Sequence, residues 1–287
     1  MANFEETSIG FKAVFQKTFN DTKSEADVLA MRIESNDLSE KYVWLGNFPM
    51  MKEWVGDRDI KKFKDYGYAL ENQPFEASVT VPNTHLEYDK VGLYKPAIEQ
   101  MAFNAKKFGG ALVAKILANA ADPAKGKCYD GKAFFAADHA SGSDTYANSG
   151  TGALDTAHLL AAEAYMISIK GDTGQALGVS PTHLICGPKN LAAAITAVNK
   201  EHLTAGETNP TFKRYSLLVL PEIAGTEWYL MDLGKPVRPF VLQVAKDGVF
   251  ESSDDHKFMK DAALFGCKSF MNAGYALWQL AYMSTGK

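Results

Sequence analysis

Residues 95–120 read KPAIEQMAFNAKKFGGALVAKILANA, and this stretch decides the fold class. Ile98, Met101, Ala105, Phe108, Leu112, Ile116 and Ala120 recur at helical spacing and define one apolar face. Pro96 suits the first turn of a helix, where its missing N–H costs nothing. Asp122 followed by Pro123 supplies a stop. The pattern predicts a helix over 94–120, roughly 40 Å long at about 1.5 Å per residue. That exceeds the ordinary globular helix of about three or four turns, so it can act as the backbone of a domain. Gly109 and Gly110 lie inside it, and each costs up to about 1 kcal/mol relative to Ala. They mark a bend or a close approach of another element, and both readings stay open.

Upstream, Phe75, Ala77, Val79 and Val81 alternate with Glu76, Ser78 and Thr80, the period of a half-buried strand. Tyr66, Tyr68 and Leu70 alternate as well, and Asn72, Gln73 and Pro74 offer turn chemistry between the runs. The expectation is a β-hairpin. A lone two-stranded hairpin is marginal in water, so it needs a partner surface in its own domain or in a neighbouring subunit. Residues 1–45 are polar, with Phe11, Phe15 and Phe19 at i, i+4, i+8, one stripe of a short amphipathic helix. A segment so polar builds no core of its own and is expected to lie against something else.

Downstream, residues 122–153 are rich in Gly, Asp, Ser, Asn and Thr and read as loop, with a short ordered island at 132–139. A second amphipathic helix follows, with Leu159, Ala162, Met166 and Ile169 on one stripe, Asp155 as N-cap and Gly171 as the C′ residue. Residues 181–186 (PTHLIC) read as a strand, and 187–199 as a turn and a short Ala-rich helix. Strands are expected at 215–220, 228–233 and 240–244, and an apolar tail over 262–283 returns to the core.

With 287 residues, 46% hydrophobic and 11% aromatic, the chain can bury a sizeable core. The formal net charge of −4, with no run of Lys and Arg, argues against a protein whose main task is gripping nucleic acid. Cys128, Cys186 and Cys267 are odd in number and far apart, so reduced buried thiols are expected instead of disulfides or a zinc site. The polar first residues show no signal peptide. No apolar run reaches the roughly 20 residues of a membrane span. A soluble protein made in a cytoplasm is the expectation.

The search for chemistry finds little. Asp138 and His139, with Cys128 nearby in sequence, are the best catalytic candidates, and a Cys–His hydrolase is the rival from another class. Adjacent Asp and His orient each other poorly, and His139 reads better as a loop histidine. Six scattered histidines offer no metal-ligand spacing, and residues 171–174 (GDTG) do not extend into a phosphate loop. No catalytic residue, cofactor or metal is expected. Trp44, Trp54 and the hairpin aromatics lack a basic cluster, so they fit subunit contact better than base stacking.

Residues 54–60 (WVGDRDI), 68–81 (YALENQPFEASVTV), 89–96 (DKVGLYKP), 131–139 (GKAFFAADH), 184–188 (LICGP) and 272–279 (NAGYALWQ) resemble, in the same order, the Mu-like phage major head subunit (gpT) family. The resemblance implies an α+β, HK97-like capsid fold and a subunit that self-assembles into an icosahedral shell around phage DNA. It implies an N-terminal arm over 1–45 and an extended loop over 46–92. A peripheral domain with the spine helix would span 93–154, and an axial domain 155–255. Residues 256–287 would return to the peripheral domain. Implied partners are other copies in hexamers and pentamers, together with scaffold, protease, portal and decoration proteins. Packaged DNA would lie close by without specific contact. The implied location is the virion, with assembly in the host cytoplasm. Trp54, Asp57, Arg58, Tyr68 and Phe75 are the expected contact residues. An encapsulin-type nanocompartment shell is the rival within the same fold.

Overall fold

Two sheets organise the chain in a computed structural model that describes residues 4–46, 66–88, 91–171, 174–203, 206–255 and 261–287. The order begins α1 (Phe4–Asp21), α2 (Ala26–Leu29), β1 (Ala30–Glu34), β2 (Ser39–Lys41), β3 (Ala69–Glu71), β4 (Gln73–Pro82) and α3 (Asn83–Glu87). The long helix α4 (Lys95–Ala118) follows, then β5 (His139–Ser141), β6 (Asp144–Tyr146), β7 (Ser149–Gly150) and α5 (Thr156–Ser168). The remainder is β8 (His183–Cys186), α6 (Leu191–Asn199), β9 (Ser216–Val219), β10 (Trp228–Met231), β11 (Phe240–Ser253), β12 (Ala262–Tyr275) and β13 (Ala281–Ser284).

The first sheet has four strands in the order β1-β11-β12-β4, and the second has five in the order β7-β13-β10-β8-β9. In the first sheet β11 and β12 form a long antiparallel ribbon, β4 runs antiparallel to β12, and β1 runs parallel to β11. The sheets cross the divisions expected from sequence. β11 joins β12 across position 255, and β13 lies in the five-stranded sheet with β8 to β10.

The expected hairpin does not form. β3 pairs with β2, through Glu40 and Leu70, while β4 pairs along its whole length with β12, about 190 residues away. Only Asn72 separates β3 from β4, too little chain for a reversal. Its side-chain amide instead donates to Ser35 Oγ (3.1 Å) and to the Asp37 carbonyl (2.9 Å).

Helix α4 forms where predicted, with Pro96 in its first turn. Its buried face is rotated from the predicted stripe. Ile98, Met101, Ala102, Gly109, Gly110, Val113, Ala114 and Leu117 are buried, whereas Ala105, Phe108, Leu112 and Ile116 are only partly so. The two glycines explain the rotation. A Cβ at Gly109 would lie 2.9 Å from Leu242 Cδ2, and one at Gly110 would lie 3.2 Å from Ser24 Oγ and 3.3 Å from the Ala26 nitrogen. They mark close approach of β11 and of the 24–26 turn. Helix α5 also ends differently from expectation: Ile169 is extended, so Gly171 is not its C′ residue. Asp155 caps its start by accepting from the His158 N–H at 2.8 Å.

Burial divides into two clusters. The larger one joins the five-stranded sheet, the second half of α4, α2 and the Phe240 end of the ribbon. The smaller one lies between α1, the first half of α4 and the far end of the ribbon. The first segment therefore does not extend away from the chain. Phe11 meets Phe265 edge-on at 4.9 Å, and Phe15 packs on Phe250 at 5.5 Å. Arg238 ties the next turn down by donating to the carbonyls of Asp27, Val28 and Ala30.

Candidate assembly surface

The surface expected to make contacts is built on the stretch that runs into α4. Trp54, Asp57 and Arg58 lie outside the described residues. Tyr68 and Phe75 lie within them and sit in different surroundings. Tyr68 precedes β3, and its hydroxyl accepts from the Tyr275 N–H at 2.8 Å while its ring packs near Tyr42. Burial pushes its phenol well up. Its hydroxyl is thus engaged within its own chain, tying the approach to β3 to the end of β12. Tyr42 works beside it, donating to Gln243 Oε1 at 2.6 Å, and Gln243 in turn donates to the Leu70 carbonyl.

Phe75 sits on β4, half-buried, with its ring 4.6 Å from that of Phe108 on α4. Phe75 and Ala77 with Ala105, Phe108, Cys267 and Ser269 line a slot of about 170 Å³ between β4 and the helix. Among the described residues β4 is the last strand of its sheet. Further along, Tyr88 and Leu93 flank the entry to α4 and are 75% and 71% exposed. Ile9 and Leu38 are about as open elsewhere, so exposure of single apolar side chains does not by itself mark an interface. Tyr88, Leu93 and the slot carry no signal in sequence beyond composition, because exposure depends on which neighbours the fold supplies.

The residues expected to carry chemistry, if any did, are used structurally. Cys128 is buried and its thiol lies 3.5 Å from the Ala276 carbonyl, in hydrogen-bond reach. Burial first, and the nearby Asp130 charge second, push that thiol well up, which opposes the thiolate a nucleophile needs. His139 is not a solvated loop residue. It is fully buried, stacked on Trp278 at 4.3 Å, with Nδ1 2.6 Å from Asp130 Oδ2 and Nε2 3.2 Å from the Phe134 carbonyl. Burial alone would raise the Asp130 carboxyl, but the His139 hydrogen bond and charge, with backbone N–H donors, outweigh it and hold it low. This set pins the 128–139 loop to the C-terminal turn. Among the described residues no cluster of three or more His, Cys, Asp or Glu is placed to hold a metal ion. No helix among them is long and apolar enough to cross a membrane.

Glu163 on α5 is the most heavily engaged carboxylate among the described residues. It accepts from Arg214 Nε and NH2 at 2.7 Å each and from the Tyr215 hydroxyl at 2.6 Å. Burial pulls its carboxyl up, but these donors together bring it below the usual range. The pair locks α5 to the approach of β9.

Comparison with known proteins adds the following. The profile of the Mu-like prophage major head subunit gpT family matches residues 4–153, 145–223 and 222–287. The major capsid protein of Escherichia phage Mu is 27% identical over 293 residues, covering 99% of this chain and 74% of that protein. The Mu-like prophage FluMu major head subunit of Haemophilus influenzae is 26% identical over 283 residues, covering 97% of this chain and 72% of that protein. Among solved structures, the procapsid of bacteriophage JBD30 superposes with a TM-score of 0.60 at 28% identity, over 97% of this chain and 74% of that one.

Proposed function

The chain belongs to the Mu-like prophage major head subunit gpT family, and on that premise we propose how its parts serve a shell. It is a major capsid protein with the HK97-like α+β fold. The observation that carries this is the agreement of family, relatives and fold over nearly the whole chain, from residue 4 to residue 287. Copies assemble as pentamers and hexamers into an icosahedral shell enclosing phage DNA. Assembly takes place in the host cytoplasm, with scaffold, protease, portal and decoration proteins as further partners.

The sheets supply the division of labour. The four-stranded sheet with α1 and α4 is the peripheral part, so β11 and β12 both belong there. The five-stranded sheet with α5, α6 and β13 is the axial part. Residues 46–92 are the extended loop, and their described part is tied to the fold by the β2–β3 pair and by Tyr68. Trp54, Asp57, Arg58 and Phe75 meet neighbouring subunits from that loop. Each contact is repeated across the lattice, so modest interfaces add up by multivalency. Electron microscopy of the purified chain, after size-exclusion chromatography with light scattering, tests the proposal. Closed particles or five- and six-membered rings are expected. A monomer at every concentration and salt would contradict it.

A further inference from the structure

We propose that His139 is held as a doubly protonated imidazolium that latches the 128–139 loop between the two sheets, so that loss of its second proton loosens the joint. The inference goes beyond the shell reading and stands on contacts within one chain. Residues 128–139 act as a wedge. Phe134 packs on Phe240 (5.1 Å) and Tyr275 (5.3 Å) at the end of the four-stranded sheet, while Phe135 packs on Tyr229 (5.4 Å) of the five-stranded sheet. Trp278 lies in the turn where the chain leaves β12 for β13, and so passes from one sheet to the other.

His139 joins the wedge to that turn. Among the described residues it is the one buried histidine. Its ring lies within 9° of parallel to the Trp278 ring, at 4.3 Å. Nδ1 is 2.6 Å from Asp130 Oδ2, and Nε2 is 3.2 Å from the Phe134 carbonyl. Asp130 is held ionised by its donors, so both partners are acceptors. A neutral ring carries a single N–H, and either tautomer would turn a lone pair toward one of these oxygens. A second proton removes the conflict. It also places a cation on a tryptophan face away from water, where the attraction is strongest. The Phe134 carbonyl accepts from Asn148 Nδ2 as well, at 2.7 Å, and Asn148 donates to the Trp278 carbonyl at 3.3 Å. One set of bonds thus holds wedge and turn together.

The charges nearby leave the ring as the element that can switch. Lys132 is engaged by Asp138 toward solvent, and among the described residues no cation other than His139 pairs with Asp130. Burial keeps the Cys128 thiol and the Tyr129 phenol protonated and uncharged. Tyr146 stands opposite His139 across the β5–β6 pair. A free histidine is mostly neutral at about pH 8, so folding takes up a proton here. The stability it brings is therefore lost as pH rises, not as it falls.

Magic-angle-spinning NMR of the sedimented full chain, with its histidines labelled with nitrogen-15, tests this at about pH 8. We expect the ring in contact with the Trp278 indole to carry a proton on both nitrogens, and to lose one in Asp130→Asn. Raising the pH further should remove that proton in the unsubstituted chain. Amides of 134–141 and 276–280 should then exchange about tenfold faster, beyond the intrinsic rise with pH, the scale of one hydrogen bond to a charged group. A neutral ring against Trp278 at about pH 8 would overturn the inference, as would exchange in the joint that follows the intrinsic rise alone. Contact with Trp278 assigns the ring, so the unsubstituted chain decides the matter even if Asp130→Asn does not fold.

Discussion

At one end of the β11–β12 ribbon, Phe240, Val241, Leu242, Gln243 and Val244 are buried one after another, so both faces of the sheet are covered. Past the register shifts between Val244 and Val249, burial on β12 alternates instead. Ala263, Phe265 and Cys267 are buried under α1 and α4, while Leu264, Gly266 and Lys268 on the other face are only half-buried. One ribbon thus serves two ends. The Phe240 end is finished within the subunit, packed against Phe134 (ring centroids 5.1 Å) in the cluster that includes the five-stranded sheet. The Phe265 end is half a core, with one face and the β4 edge left open. The difference teaches that folding and assembly draw on different parts of one element, and substitutions should separate them.

The largest effect is expected at the finished end. Phe134 is fully buried among Phe135, Phe240 and Tyr275, so Phe134→Ala should cost about 3–5 kcal/mol in urea unfolding. Phe265→Ala, at the half-built end, should cost about 3 kcal/mol and act locally. Hydrogen exchange should show α1 opening while β8 and β10 stay protected. Global loss of protection would erase the distinction between the two ends.

Glu163→Gln probes the finished side by charge. Its carboxyl is held below the unfolded value, so its contribution is present above the unfolded pKa of about 4.3 and is lost as pH falls through the folded value. The substitution should cost about 1–2 kcal/mol at pH 7, discounted because the Arg214 side chain is 48% exposed. It should also flatten the acid limb of a stability–pH curve; an unchanged acid limb would remove this carboxylate from the account.

Gly109→Ala asks whether α4 tolerates a methyl against Leu242. Overpacking of about 1–3 kcal/mol is offset by up to about 1 kcal/mol of helix propensity. A net loss near 1 kcal/mol is expected in thermal unfolding. The smallest stability effect is expected for Trp54→Ala, which should lower shell yield and leave unfolding of the free subunit unchanged. A shifted unfolding midpoint would place Trp54 inside its own fold.

The helices were legible because their signals are local. Pro96, Asp155 and the Phe11–Phe15–Phe19 stripe each act within a turn or two. What was misread depended on distant chain. Phe75 to Val81 shows strand period, but nothing nearby says that its partner is β12. The buried face of α4 was placed too far round because Gly109 and Gly110 bury backbone, not side chain, and hydrophobic periodicity is blind to that. His139 looked like a loop residue because Asp130, Phe134 and Trp278, which enclose it, meet only in the fold. The contact surface was half legible: Phe75 stands out by alternation, whereas the slot beneath it needs α4 in place.

Hydrogen exchange on the free subunit and on the assembled shell tests the central claim most directly. The account predicts that amides of residues 240–244 are equally protected in both, while the amides of 73–82 that β12 leaves unbonded gain protection only in the shell. Equal protection of both regions before and after assembly would contradict it.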